Sequence, residues 1–307
     1  MNYVFTIKKT DIQLIQNYYE VEPIIPDDSR ILMIFKTGDV TTTIYASLKV
    51  MLQGPTAYED YLFFSDLLQF EPIQNSNDET KSSQIVPKQW ANYQSSAIGS
   101  DEVGTGDFFG PVVVCSAYVE SSQIKELETL GVRDSKKISD ETIIKLGPIL
   151  QEKIAHIVLT TDNGKYNNLI SQGFNMNKIK AYLHNHAIKK CIAKIGHTPD
   201  YVIIDQFCSP ALYFDYLKDQ TTYQSITFLE KAESAHLSVA AASIIARYVF
   251  LDKINQLSES VSIRLPLGAG PGVDVIGQLI VKRLGESSLT SLAKTNFKNM
   301  ERIVKRP

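Results

Sequence analysis

Along the N-terminal part of the chain the apolar positions change period repeatedly. TDIQLIQNYY, from Thr10, carries an apolar stripe at helical spacing behind a Thr or Asp cap, which predicts a helix. RILMIFKTGDVTTTIYASLKVMLQG then reads as three short antiparallel strands separated by turns, with Thr37-Gly38-Asp39 at the first turn. PTAYEDYLFFSDLLQF returns to helical spacing behind Pro55. Helix, three strands and helix predict a small α+β domain over residues 1–72 that offers one sheet face to a partner. EPIQNSNDETKSSQIVPKQW is polar and aperiodic, so residues 73–92 read as a linker.

From residue 93 onward strands and helices alternate. SAIGSDEVG, GPVVVCSAYVE, KIAHIVLTTD, DYVIIDQF and SITFLEKA are the candidate strands. The first two leave no room for a crossover helix between them, so the first three read as an antiparallel meander. NMNKIKAYLHNHAIKKCIAKIG is a long amphipathic helix leading into PDYVIID, which predicts a crossover to a parallel strand. AESAHLSVAAASIIARYVFLDKI is another helix, opened by Glu233, and Ala240-Ala241-Ala242-Ser243 lets it approach the sheet closely. The expected architecture is α/β, a mixed sheet of about five strands flanked by helices, after the small domain.

Composition changes little in this picture. The 307 residues are 44% hydrophobic and 21% charged, ordinary for a globular chain. No apolar run is long enough to cross a bilayer, and MNYVFTIKK lacks the order of a secretory signal, so a cytoplasmic protein without a membrane partner is expected. Cys115, Cys191 and Cys208 form no zinc pattern and read as reduced thiols. Net charge is −3, unevenly spread. Residues 1–72 carry −5, whereas residues 281–307 carry +5, a solvated terminal helix or a phosphate-contacting face.

The candidate chemistry is carboxylate. Asp101 and Glu102 stand side by side on a strand that should be buried, where charge is costly unless paired or holding a metal. Asp205 ends the apolar strand YVIID, where open α/β sheets place their ligand groups, although alone it reads as a turn cap. Glu233 alone reads as an acid favoured by a helix dipole. If the Asp205 strand pairs beside the Asp101 strand, four acids meet at one end of the sheet. Hard divalent ions such as Mg²⁺ take oxygen ligands, and two of them can drive phosphodiester cleavage. Gly104, Gly106 and Gly110 precede a strand, which excludes a dinucleotide fingerprint, and no GKS or GKT is present for a Walker loop. Gly104–Gly106 can instead bring bare backbone against a sugar, or mark a bulge. GAGPG at Gly268 reads as a loop. Asp107 and Asp274 are further acids near loops and are not assigned as ligands. His184, His186 and His236 read as packed or surface histidines, since a hard-metal site does not favour imidazole.

DEVGTGDFFGPVVV, GVRDSKKISD, YVIIDQF and KAESAHLSVAAASIIARY, in that order, resemble the type 2 ribonucleases H, above all bacterial ribonuclease HIII. The resemblance covers about residues 93–307; residues 1–72 resemble, more weakly, that subfamily's TATA-binding-protein-like substrate-binding domain. It implies a ribonuclease H-like catalytic domain and Mg²⁺- or Mn²⁺-dependent cleavage of the RNA strand of RNA–DNA hybrids. Two ions in the substrate complex, 5′-phosphate and 3′-hydroxyl products, and no organic cofactor are implied with it. The implied metal and catalytic residues are Asp101, Glu102, Asp205 and Glu233. Gly104, Thr105 and Gly106 are the implied contact to ribose 2′-hydroxyls, the group that separates RNA from DNA. Asp134-Ser135-Lys136-Lys137 matches the family's DSKK element, and Ser135, Lys136 and Lys137 are expected on the substrate, a lysine on a phosphate. Glu233, where ribonuclease HII has Asp, and Thr105, where it has Arg, set this chain apart from HII-like incision at single ribonucleotides. That incision, and hybrid binding without catalysis, remain the alternatives. A monomer acting on R-loops and RNA primers is expected.

Overall fold

The computed structural model describes residues 2–19, 21–37, 40–54, 57, 60, 61, 64, 68, 90–133, 135 and 138–304. The chain divides into two compact units, Met1–Ile85 and Val86–Pro307.

In the first unit, β1 (Asn2–Thr6), α1 (Ile12–Tyr18), β2 (Ile31–Thr37), β3 (Val40–Tyr45) and β4 (Lys49–Gln53) follow one another. The strands form an antiparallel sheet in the order β1-β4-β3-β2. The sequence pattern indicated three of them. β1 is an addition, paired along β4, because NYVFT is a short run without flanking turn signals. Asp11 precedes α1 and accepts from the Lys8 amide at 2.8 Å. Strand alternation buries Phe35, Thr42, Ile44, Val50 and Leu52 on the inner face, with Ala57, Tyr61 and Phe64 in the same core. Thr42 therefore leaves the open face that its neighbours share, and its Oγ1 lies 2.5 Å from the Tyr19 hydroxyl. The outer face presents Lys36, Thr41, Tyr45, Lys49 and Met51, matched by register, with Thr43 on the same side but buried. The turn at Gly38-Asp39, most of the second predicted helix and residues 73–89 of the predicted linker lie outside the described residues.

The second unit holds the expected mixed sheet of five strands. β5 (Ala97–Val103) and β6 (Val112–Val119) pair antiparallel, and β6 pairs antiparallel with β7 (His156–Thr161). Between β6 and β7 the chain makes α2 (Ile124–Thr129) and α3 (Asp140–Lys153). Then come α4 (Asn163–Ser171) and α5 (Met176–Ile195), the crossover to β8 (Tyr201–Asp205), which lies parallel to β5. After α6 (Pro210–Tyr216), β9 (Thr227–Leu229) pairs parallel with β8, giving the order β7-β6-β5-β8-β9. α7 (Leu237–Val261), α8 (Pro271–Leu284), α9 (Leu289–Leu292) and α10 (Lys298–Val304) complete the unit. Asn175 caps α5 by accepting from the Lys178 amide, and Gly196 closes it in the left-handed conformation.

β5 is central and packed on both faces. On one side α7 supplies Ala240, Ala241, Ile244 and Ile245 to a core shared with Val113, Cys115 and Ala117 of β6. On the other, α5 supplies Ala181, Ile188 and Cys191 against Ile98, Val202 and Ile204. The small-residue run in α7 does permit close approach, and Gly99 is its counterpart on β5. A Cβ added there would stand 2.2 Å from the Val239 amide nitrogen and 2.3 Å from the Ser238 carbonyl carbon. Neither atom can yield without moving the helix. Gly99→Ala should therefore cost about 3 kcal/mol or more of stability, read as a lowered urea midpoint. A change within about 0.5 kcal/mol, the scale of a neutral surface substitution, would contradict this packing.

Candidate active site

β5 and β8 run parallel in register, Ser100 opposite Ile204, so Asp101 and Asp205 follow at the same level on adjacent strands. Asp101 is buried and Asp205 half-buried. Asp205 Oδ1 accepts from the Ala232 amide at 2.8 Å, which ties Glu233 to the same end of the sheet. Glu233 does not open the long helix as its sequence suggests. It sits in a 3₁₀ turn, Ala232–Ser234, after Lys231 in the left-handed conformation, and α7 starts only at Leu237. His236 causes the break: its Nδ1 caps the Ser238 amide at 3.1 Å and its Nε2 lies 3.1 Å from the Ser95 carbonyl.

The environment of Asp101 is set first by burial and then by repulsion. Burial, then the Glu102 charge, and also the Asp205 charge, push its carboxyl well above the usual carboxylate range. The Ser243 hydroxyl and the Glu102 amide, 2.7 Å from Oδ1, oppose them. Among the described residues no Lys or Arg forms an ion pair with Asp101. Glu102 is the reverse case. Burial pushes it up, but the hydrogen bond and charge of His184 and the charge of Lys180 outweigh burial and hold it at about 2. Lys180 Nζ lies 2.8 Å from Oε1 and His184 Nε2 lies 2.9 Å from Oε2. Adjacent residues of a strand point to opposite faces, so Asp101 faces α7 and Glu102 faces α5.

Asp101, Asp205 and Glu233 thus gather at one end of the sheet, with Glu102 beside them but engaged by α5. Among the described residues no three His, Cys, Asp or Glu side chains already stand in metal-holding geometry. The site supplies the right donor chemistry, carboxylate oxygens of hard character in a buried setting, and these fit Mg²⁺ or Mn²⁺.

The glycine segment divides. Gly104 is buried at φ +91°, and a Cβ there would meet the Pro111 carbonyl oxygen at 2.2 Å, so packing alone requires this glycine. Gly106 is exposed, its Cβ position is open, and Thr105 lies half-buried between them. The strand ladder ends at Val103 opposite Val113 without a register shift, so the segment is a bend rather than a bulge. Ser135 is half-buried and its hydroxyl lies 2.7 Å from that of Ser243, which links the DSKK segment to Asp101 through α7. Asp134, Lys136 and Lys137 lie outside the described residues. Asp107 accepts from the Gly268 amide at 2.6 Å, which pins GAGPG as a loop. Asp274 binds Arg302 and Asn299, and His186 is exposed.

Sequence reasoning missed Lys180, Ser243 and Lys294, and read His184 only as a packed or surface histidine. Lys294 belongs to the basic C-terminal stretch, yet it is fully buried, with Nζ on the carbonyls of Asp107 at 2.8 Å and Gly110 at 2.5 Å. It clamps the loop that follows β5. With Arg302 paired to Asp274, the cationic end is partly structural.

A five-stranded mixed sheet, its central strand ending in acids beside a parallel neighbour, defines a ribonuclease H-like hydrolase. The ribonuclease HII model matches residues 98–300, and a domain of unknown function, DUF3378, matches residues 2–66. The ribonuclease HIII of Geobacillus kaustophilus is 41% identical over 274 residues, 88% of this chain and 87% of that protein. That of Phytoplasma mali is 51% identical over 206 residues, 67% of this chain and 71% of that protein. The crystal structure of Bst-RNase HIII in complex with Mn²⁺ matches with a TM-score of 0.68 at 37% identity, covering 100% of both chains. The chain belongs to the ribonuclease HII family, is similar to ribonucleases HIII, and is a ribonuclease H enzyme. Among the described residues no helix is long and apolar enough to cross a membrane.

Burial lowers the pKa of Lys294 to about 7, against the charge of Asp107. Below its unfolded value near 10.5 the unfolded chain takes up a proton that the folded chain takes up only near 7. Folding stability should therefore rise as pH increases from 7 to 9, by about 2 kcal/mol from this residue. Urea unfolding at both pH values reads it. Lys294→Met should lose that part of the pH slope, and an unchanged slope in the variant would refute the assignment.

Proposed function

We propose that this enzyme hydrolyses the RNA strand of RNA–DNA hybrids with two divalent ions, Mg²⁺ or Mn²⁺, held by Asp101, Glu102, Asp205 and Glu233. The observation that carries the reading is Asp101 and Asp205 at the same level of adjacent parallel strands, with the Ala232 amide bringing Glu233 to Asp205. The Mn²⁺ complex of the related Bst enzyme supports the ion class. When bound, such ions supply an activated water and a counter-charge for the leaving oxygen. The chain's own groups do the rest. Ser243 and the Glu102 amide orient the Asp101 carboxylate. The Ala232 amide fixes Asp205. The exposed bend at Thr105 and Gly106 brings backbone to the ribose 2′-hydroxyl, and Ser135, Lys136 and Lys137 take a neighbouring phosphate. Cleavage leaves 5′-phosphate and 3′-hydroxyl ends. The open face of the first unit, with Lys36, Thr41, Tyr45 and Lys49, binds the hybrid by hydrogen bonds and stacking despite its net acidity. R-loops and RNA primers are the cellular substrates, met in the cytoplasm by a monomer whose catalytic domain spans residues 93–307.

Asp101→Asn should lower the cleavage rate of a labelled hybrid by about three orders of magnitude, the scale of a lost charge-stabilising group, while hybrid binding in a gel shift persists. Full activity in this variant would end the carboxylate reading. Gly106→Ala adds a methyl group into open space, so its melting temperature should match the wild type. Its cleavage of hybrid should fall about tenfold, the cost of displacing one good hydrogen bond. Unchanged cleavage would remove Gly106 from the substrate contact.

A further inference from the structure

Lys180 has a feature that the catalytic reading does not use. It is a buried lysine whose ammonium has two partners. Glu102 Oε1 lies 2.8 Å from Nζ, and the Phe207 ring centroid lies 4.1 Å from it. One turn further along α5, His184 takes the other oxygen of Glu102 and stacks on the same Phe207 ring at 5.2 Å and 23°. His184 is itself held by Ser100, whose hydroxyl lies 2.7 Å from Nδ1. Phe207 follows Asp205 by two residues. Lys180 is therefore braced between the strand carrying Asp101 and the strand carrying Asp205. Ordering and burying a lysine is costly, and its partner here is an acid expected to serve an ion.

We propose that Lys180 is a positioning residue that acts as a resident counter-cation. In the protein without metal its ammonium, beside His184, offsets the charge of Glu102, where a divalent ion's charge acts in the loaded protein. This rests on the metal reading above. Carboxylates brought together at one end of a sheet repel each other, and a fixed positive charge lets that end fold before an ion arrives. The same charge repels an incoming cation over a few ångströms of partly buried space, where such interactions are strong. It also occupies an oxygen that an ion would share. The device stabilises the empty site and weakens ion binding at once, and these two effects must change together when the charge is removed.

The test uses the full chain, freed of metal by chelation, melted across a MnCl₂ titration. Lys180→Met should lower the melting temperature without metal. It should also lower about tenfold the apparent Mn²⁺ Kd fitted from the rise of melting temperature with concentration, one partly screened charge interaction. Lys180→Gln keeps a donor to Oε1 without the charge and should show the same tenfold tightening, so the inference stays open to refutation if the Met variant does not fold. Lys180→Arg keeps the charge and should return the fitted Mn²⁺ Kd toward the wild-type value. Lys190→Met, at an exposed position of α5, should change neither quantity. A packing role alone lowers the melting temperature and leaves Mn²⁺ affinity unmoved. Equal or weaker Mn²⁺ binding in both uncharged variants, with a normal response in the wild type, overturns the counter-cation and spares the metal site. A wild type that does not respond to Mn²⁺ at all overturns both.

Discussion

Burial of carboxylates that also repel one another, at the end of the central strand, is the constraint around which the site of the second unit is organised. Asp101 and Asp205 stand level at one end of the sheet, and the elements nearby limit what that proximity costs. Amides take one oxygen of each, from Glu102 and from Ala232. Ser243 reaches Asp101 from α7, and α5 takes Glu102. None of this works unless α7 lies at backbone distance from β5, and that distance exists because residue 99 has no side chain. A single glycine on the central strand thus links the packing of the core to the electrostatics of the site.

Much of this could be read from the chain. Alternation and apolar runs marked all five strands of the catalytic sheet, and the crossover helix before YVIID required β8 to be parallel to its partner. The acids were visible because Asp101 and Glu102 interrupt a run that is otherwise buried. What stayed hidden depends on packing between distant segments. Lys180 and His184 look like polar positions on an amphipathic helix until the fold turns that face onto Glu102. Lys294 looks like one more charge in a basic tail until the chain returns over the loop after β5. The late start of α7 was hidden because His236 caps it, and histidine is not a common capping residue. β1 was missed because five residues without turn signals carry little pattern.

The two glycines of the segment after β5 show how one motif serves two purposes. Gly104 answers to the Pro111 carbonyl and the Phe250 ring, and would be needed in a protein with no substrate. Gly106 meets nothing within the fold, so the packing that requires Gly104 does not require it. The same division separates the histidines. His236 is a structural cap, buried and held below its ordinary pKa by desolvation against two backbone hydrogen bonds. His184 meets a carboxylate of the site.

The central claim is that the acids at the end of β5 and β8 share divalent ions. Anomalous diffraction from crystals soaked in MnCl₂ tests it most directly. The account predicts a strong peak about 2 Å from carboxylate oxygens of both Asp101 and Asp205. Peaks confined to other parts of the surface, with those two carboxylates too far apart to share an ion, would contradict it.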